Sequence, residues 1–374
     1  MRADGFGRGN GMLAIKTKPV LALALAAAVM GPTMAQADEK TAQVHSEVPA
    51  ASLDIPAFVY APSQLSSEAQ KLAYARSLAG PGNGTITPPT NPKIVATMRS
   101  VVNAMFEKSL PYVRERYPVE TSQETLAGVE IIRVRPKGGV SGKNRRRILI
   151  EVHGGSFMVG WPSVALLDAI PVAALSGIEV VAINYRLYPE AAHPAALEDL
   201  SAVYREIIKT HAPRDIGIFG GSAGGVVTLQ SIPWFKRHGL PMPGAIAPLS
   251  SAFRTAIGDS EIWNFSGGFA RPGTTLVAKG GYFGSDYDRR DMLPEVTPDS
   301  LSIYPPTLWL SGTRAPEMSG VVTGHASLLK HGVQSELYII EGGWHQSYST
   351  APETPESQDA MRYLANWFDK HLGR

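Results

Sequence analysis

The sequence predicts an α/β protein whose central, mostly parallel sheet carries helices on both faces. Three observations predict it. From Ile148 onward, short apolar runs of strand length alternate with longer runs of helical spacing, the rhythm of a parallel sheet buried on both sides. Two Gly-rich turns, His153-Gly154-Gly155-Ser156 and Gly220-Gly221-Ser222-Ala223-Gly224-Gly225, each follow such a run directly. Turns in that position lie at the carboxyl ends of strands, where open α/β sheets gather their ligands.

Composition sets the bounds. Hydrophobic content of 44% and charged content of 18% over 374 residues describe an ordinary globular chain with ample material for a large core. The start is a separate matter. Arg2, Arg8, Lys16 and Lys18 precede the apolar run at 20–30, and Ala35-Gln36-Ala37 follows it. That order is the signature of a secretory signal, with cleavage expected after Ala37 and a periplasmic or secreted product. The run is too short for a permanent membrane anchor. Removing residues 1–37 takes away four bases and one acid and leaves a formal charge of −1. Such a chain offers nucleic acid no electrostatic footprint. With no cysteine present, a disulfide framework, a thiolate nucleophile and cysteine metal sites are excluded.

In chain order, residues 38–60 carry no pattern and read as a leader. Helical spacing appears at 67–78 and 92–108, split by a Gly/Pro-rich stretch at 80–89. In the second helix Ile94, Met98, Val101, Val102, Met105 and Phe106 share a face. That stripe either packs on the domain or forms a lid over an apolar site. Residues 128–135 alternate as a strand, and 137–147 make a Gly- and base-rich turn ending in Arg145-Arg146-Arg147, read as a solvated strand entrance. Strands then follow at 148–152, 179–184, 216–219, 245–249, 307–311 and 336–340. Helices are expected at 164–175, 194–210, 226–232, 321–331 and 356–372. Residues 253–304 break the rhythm with turns, aromatics and a charge run, and read as an inserted excursion. The domain plan is a leader and cap segment at 38–120 and a catalytic domain at 121–374.

The candidate chemistry lies in three loops in a telling order. A serine between strand and helix, flanked by glycines, sits on a strained turn with its hydroxyl exposed, and the first helical turn beyond it favours developing negative charge. Ser222 is therefore the candidate nucleophile. The early Gly-rich turn offers the N–H groups of Gly154, Gly155 and Ser156, with that of Ala223, as an oxyanion site. His345, in the loop after the last strand, is placed to take the serine's proton and return it to a leaving group. Met105, Phe106 and Phe157 are candidates for contact with substrate. The nine histidines show no metal-binding spacing and no phosphate-binding loop appears, so neither metal nor cofactor is expected.

Taken together, these residues resemble the hormone-sensitive-lipase-like, or bacterial family IV, esterases of the α/β-hydrolase fold, over roughly residues 90–372. His153-Gly154-Gly155-Ser156-Phe157 resembles H-G-G-G-[FY] with serine at the third glycine. Gly220-Gly221-Ser222-Ala223-Gly224-Gly225 resembles G-D-S-A-G-G with glycine for aspartate. Tyr185-Arg186-Leu187-Tyr188-Pro189-Glu190 and Pro194-Ala195-Ala196-Leu197-Glu198-Asp199 are similar to Y-R-L-A-P-E and F-P-A-A-x-x-D. The resemblance implies an α/β-hydrolase fold, a cap built from an N-terminal segment and the mid-chain insertion, Ser222 as nucleophile and His345 as base. It also implies that Tyr185, Arg186 and Glu190 brace a loop.

One member departs from the pattern. The family's acid follows the penultimate strand in a segment like S-G-T-R-D, but Ser311-Gly312-Thr313-Arg314 runs into Ala315. Three arrangements stand open: Glu317 acts as the acid, a water or another carboxylate orients His345, or hydrolysis is lost and the pocket binds a small apolar ligand. Losing the acid of such a triad costs roughly 10⁴-fold in turnover, yet the oxyanion site and binding still give about 10³–10⁴ over water. The expectation is a carboxylic ester hydrolase acting on small apolar, short-acyl esters or lactones. Its partner is a small-molecule ester; oligomeric state is not encoded in these patterns.

Overall fold

The computed structural model describes residues 66–69, 72, 89–253, 260, 281–284 and 298–373. The expected signal at 1–37, the leader, most of the first helix and most of the insertion lie outside the described residues. The chain enters through α1 (Pro92–Glu107) and α2 (Leu110–Arg116). Asn91 starts α1 by accepting from the N–H groups of Lys93 and Ile94 at 3.0 and 3.4 Å, with Pro92 in the first turn.

An eight-stranded sheet follows, in the order β1-β2-β4-β3-β5-β6-β7-β8. Its strands are β1 (Val119–Leu126), β2 (Val129–Pro136), β3 (Ile148–Val152), β4 (Glu179–Ile183), β5 (Ile216–Gly221), β6 (Ala245–Leu249), β7 (Thr307–Gly312) and β8 (Ser335–Ile340). The pairs β1/β2 and β2/β4 are antiparallel and all other pairs are parallel. The helices between and after them are α3 (Ser163–Ser176), α4 (Ala195–Ile207), α5 (Ala223–Arg237), α6 (Met318–Lys330), the short α7 (Ser347–Thr350) and α8 (Pro355–His371).

Alternation along β3 divides the core. Ile148, Ile150 and Val152 face α4, α5 and α6, where they meet Leu200, Val203, Val227 and Val321. Leu149 faces the other way, with Phe219, toward Ala169 and Ile170 of α3 and Leu364 and Phe368 of α8. Every residue of β3, β5, β6 and β7 is buried, because helices close both faces and leave no polar side. Two expectations need correction. The edge strand β1 and the helix α2 were not expected: β1 reads VETSQETL, polar between its two end residues, and none of its residues is fully buried. The stripe on α1 differs at one position: Val101, Met105 and Phe106 are half-buried as part of it, and Val95 takes the place of Ile94. Val95, Met98 and Val102 are buried, while Ile94 is 56% exposed.

Candidate active site

Ser222 stands between β5 and α5 at φ 53° and ψ −117°, a backbone conformation that costs a non-glycine residue on the order of 1–3 kcal/mol. Neighbouring bonds hold it there. Its N–H donates to the Leu249 carbonyl at 2.9 Å and its carbonyl accepts from Val226 at 3.1 Å. A Cβ on Gly224 would lie 1.7 Å from the Val152 carbonyl oxygen, so only glycine lets the first turn of α5 press against the end of β3.

The early turn is built on a buried histidine. His153 stacks on Tyr185 with ring centroids 4.4 Å apart, and Tyr185 donates its hydroxyl to the His153 carbonyl at 2.9 Å. Burial pushes the His153 pKa down to about 4, with the Gly154 carbonyl opposing. The ring is neutral near pH 7, and its Nδ1–H donates to that carbonyl at 2.7 Å. Gly155, Ser156 and Phe157 then take φ values of 117°, 54° and 62°. Met158 and Val159 close the turn by donating to the Gly155 carbonyl at 2.9 and 3.0 Å. Among the described residues, no protein acceptor takes the N–H groups of Gly155, Ser156 or Ala223. Gly154 lies against both neighbouring loops: a Cβ there would sit 2.9 Å from the Gly221 carbonyl oxygen and from Gln346 Nε2.

Other elements clamp this turn from outside. Arg99 of α1 donates its Nε–H to the Met158 carbonyl at 2.8 Å and a terminal N–H to the Tyr188 carbonyl at 3.1 Å, while both terminal nitrogens hold Glu190. Arg186 pairs with Glu198 and Asp199. Phe157 is buried and stacks on Tyr282 at 4.3 Å. Phe106 packs beside Met98, Val102, Met158 and Val159, and Met105 is half-buried.

The loop after β8 brings in the imidazole. Gly342 donates its N–H to Thr313 Oγ1 at 2.7 Å, Arg314 donates its N–H to the Gly343 carbonyl at 2.9 Å, and Gln346 donates its N–H to Ser250 Oγ at 2.9 Å. His345 Nε2 then lies 2.9 Å from Ser222 Oγ, and its Nδ1 lies 3.0 Å from Glu317 Oε2. A carboxylate only accepts, so Nδ1 carries the proton and Nε2 is free to accept from the serine hydroxyl. Glu317 is 1% exposed, and its Oε1 accepts from the Ser311 hydroxyl at 3.1 Å. Burial pushes this carboxyl up. The His345 charge and hydrogen bond, its own backbone N–H and Ser311 together outweigh burial and hold it below the usual range.

Ala315 is fully buried in a tight turn, its N–H on the Gly312 carbonyl and its carbonyl taking the Met318 N–H. The chain passes it without presenting a carboxylate and turns Glu317 inward. Sequence reading did not mark Ser250, Ser311 or Arg99 as parts of this site; Ser311 opens the motif segment already singled out, and the other two carried no signal of their own.

Residues 149–349 match the model of a family described as having the alpha/beta hydrolase fold. The chain belongs to that family. It is similar to LipR of Mycobacterium tuberculosis, which is named as an acetyl-hydrolase, with 26% identity over 260 residues, 66% of this chain and 80% of LipR. An esterase of Acinetobacter venetianus is 23% identical over 248 residues, 65% of this chain and 79% of its own. Among solved structures, esterase E25 superposes with a TM-score of 0.72 at 23% identity, covering 86% of this chain and 99% of its own. That likeness carries the hydrolase fold. Among the described residues no helix is long and apolar enough to cross a membrane, and no group of three or more His, Asp or Glu is arranged to hold a metal.

Proposed function

We propose that the chain is a serine carboxylesterase that cleaves small apolar, short-acyl esters or lactones through an acyl-enzyme. One observation carries the reading: a single imidazole spans a strained serine hydroxyl at 2.9 Å and a buried carboxylate at 3.0 Å. Ser222 Oγ attacks the ester carbonyl as His345 Nε2 takes its proton, and Glu317 holds the resulting imidazolium in place without taking the proton itself. The N–H groups of Gly155, Ser156 and Ala223, with Gly154 beside them, receive the oxyanion. His345 then returns its proton to the departing alcohol, and a water activated by the same ring releases the acid. The esterase and acetyl-hydrolase names of the relatives support the reaction class.

The test is hydrolysis of a short-chain p-nitrophenyl ester by purified protein. Wild type is expected to show a burst of p-nitrophenol and steady turnover, with Ser222→Ala lowering kcat by about 10⁶-fold. Clean wild-type protein without turnover overturns the reading in favour of a pocket that only binds.

We also read the product as exported, on the strength of the charged, apolar and A-x-A order at residues 1–37. The mature protein is expected to begin at Asp38; an intact N-terminus on protein recovered from the expressing cell overturns this.

A further inference from the structure

Gly221 is the second departure from the motif that this chain resembles, which carries aspartate there. Its φ lies outside the left-handed region, so the backbone itself admits any residue. Space forbids it. A Cβ on Gly221 would lie 2.4 Å from Gln346 Nε2, 2.8 Å from the Tyr348 hydroxyl and 3.1 Å from Asp168 Oδ2. All three residues are buried, and none of these three atoms has a full hydrogen bond to a protein group. The Tyr348 hydroxyl lies near Gln346 and Ser250 without the geometry of a bond to either. The other carboxyl oxygen of Asp168 accepts from the Ser349 hydroxyl.

These groups converge from two directions. Asp168 comes from α3, and Gln346, Tyr348 and Ser349 all belong to the few residues that directly follow His345. Gln346 itself sits at φ 55°, a left-handed conformation that needs external support. Its carbonyl accepts from Ser349 and Thr350, which starts α7. One carboxyl group from another element therefore grips α7 through Ser349 and, with Gln346 and Tyr348, crowds the space beside Gly221, next to the nucleophile.

We infer that Asp168 is a positioning residue for His345: its carboxyl reaches the space beside Gly221 and, through Ser349, fastens the segment that follows the imidazole. The inference rests on the esterase reading for its kinetic consequences alone. On the upstream side, Thr313 and Arg314 pin residues 342–343; downstream, Ser250 takes the Gln346 N–H and Ser357 donates to the Ser347 carbonyl, and Asp168 adds a pin from α3 through Ser349. Without it the ring loses its hold between Ser222 and Glu317, a displacement that costs turnover more than substrate binding.

The experiment compares Asp168→Ala, Asp168→Asn and Ser349→Ala. Readouts are kcat and KM on a short-chain p-nitrophenyl ester, and the downfield proton resonance of the His345 Nδ1–H in the substrate-free protein. Asp168→Ala is expected to lower kcat about 10- to 100-fold, leave KM within about twofold, and shift or broaden the resonance. Asp168→Asn keeps an oxygen for Ser349 and is expected to retain most of the turnover. A folded Asp168→Ala with unchanged kcat and resonance overturns the inference. If Asp168→Ala does not fold, Ser349→Ala decides: a weaker loss of kcat with a shifted resonance supports the inference, and no change in either overturns it. If wild type lacks esterase activity, the resonance still decides, so failure of this inference and failure of the proposed reaction remain distinguishable.

Discussion

Glu317 holds its charge where burial opposes it. The His345 ring, a backbone N–H and the Ser311 hydroxyl more than offset the desolvation and keep the carboxyl ionised through the neutral range. Glu317→Ala is expected to lower kcat about 10³- to 10⁴-fold with little change in KM, read in the same ester assay; a loss under about tenfold removes Glu317 from the catalytic unit. Ala315→Asp puts an acid where the related motif has one, yet the only Nδ1–H is already taken by Glu317. Ala315 is fully buried, so the added carboxyl has to be neutralised or left unpaired. Ala315→Asp is expected to lower both activity and Tm, and a gain in kcat shows that the turn admits a second geometry. Both candidate positions were legible in the sequence, since Glu317 is the first carboxylate after Ala315. How the turn bends was not. The Arg314 N–H bond to Gly343 and the Thr313 bond to Gly342 help set its path, and these join segments 29 residues apart, a closeness that no local pattern encodes.

At the scale of elements, what was legible followed the strength of periodicity. The strands from β3 to β7 are apolar because both faces are covered, and they stood out as runs, as did the half-buried edge strand β8. The largely polar β1 lies at the sheet edge, pairs with β2 and packs only its end residues Val119 and Leu126 against the core, so it left no apolar run. Helix α1 was legible as a helix and in most of its buried face; that Val95 and not Ile94 completes the face was not, because its partners, Met158 and Val159, lie more than 50 positions further along the chain. The same helix carries Arg99, whose bonds tie it to the turn beside Ser222. Its ion pair with Glu190 is partly open to solvent and adds at most about 1 kcal/mol. The bonds to the Met158 and Tyr188 carbonyls fix the turn itself. Arg99→Ala is therefore expected to lower kcat/KM about 3- to 30-fold while shifting Tm by only a few degrees. Loss of Tm without loss of kcat/KM makes α1 a stabilising cover and no more.

Across the whole molecule, the groups buried on either side of the sheet pull stability in opposite directions with pH. His153 is depressed from its ordinary 6.5 to about 4 by burial. The unfolded chain therefore takes up its proton first, and the contribution from His153, whole above 6.5, is lost as pH falls toward 4. Glu317, also depressed, acts in the same sense below the ordinary carboxyl range. Asp168 is the reverse. Burial raises it from 3.8 to about 7, against the Ser349 bond, so its contribution is whole below 3.8 and is lost as pH rises to about 7. Glu151, buried on the same face and raised by burial and then by Asp168, reinforces that loss; Gln346, Tyr348 and Ser349 face Asp168 as neutral groups. Between pH 4 and 6.5 the His153 and Asp168 slopes oppose one another, so wild type is expected to show a shallow stability profile there. Asp168→Asn removes the Asp168 part of the falling branch and leaves Glu151 alone to oppose His153. The stability of that variant minus wild type is then expected to climb with pH from 4 to 7, by up to roughly 4 kcal/mol. Urea unfolding of both proteins at pH 4, 5.5 and 7 measures the climb, and a difference that stays flat across the three shows that Asp168 does not titrate in that window.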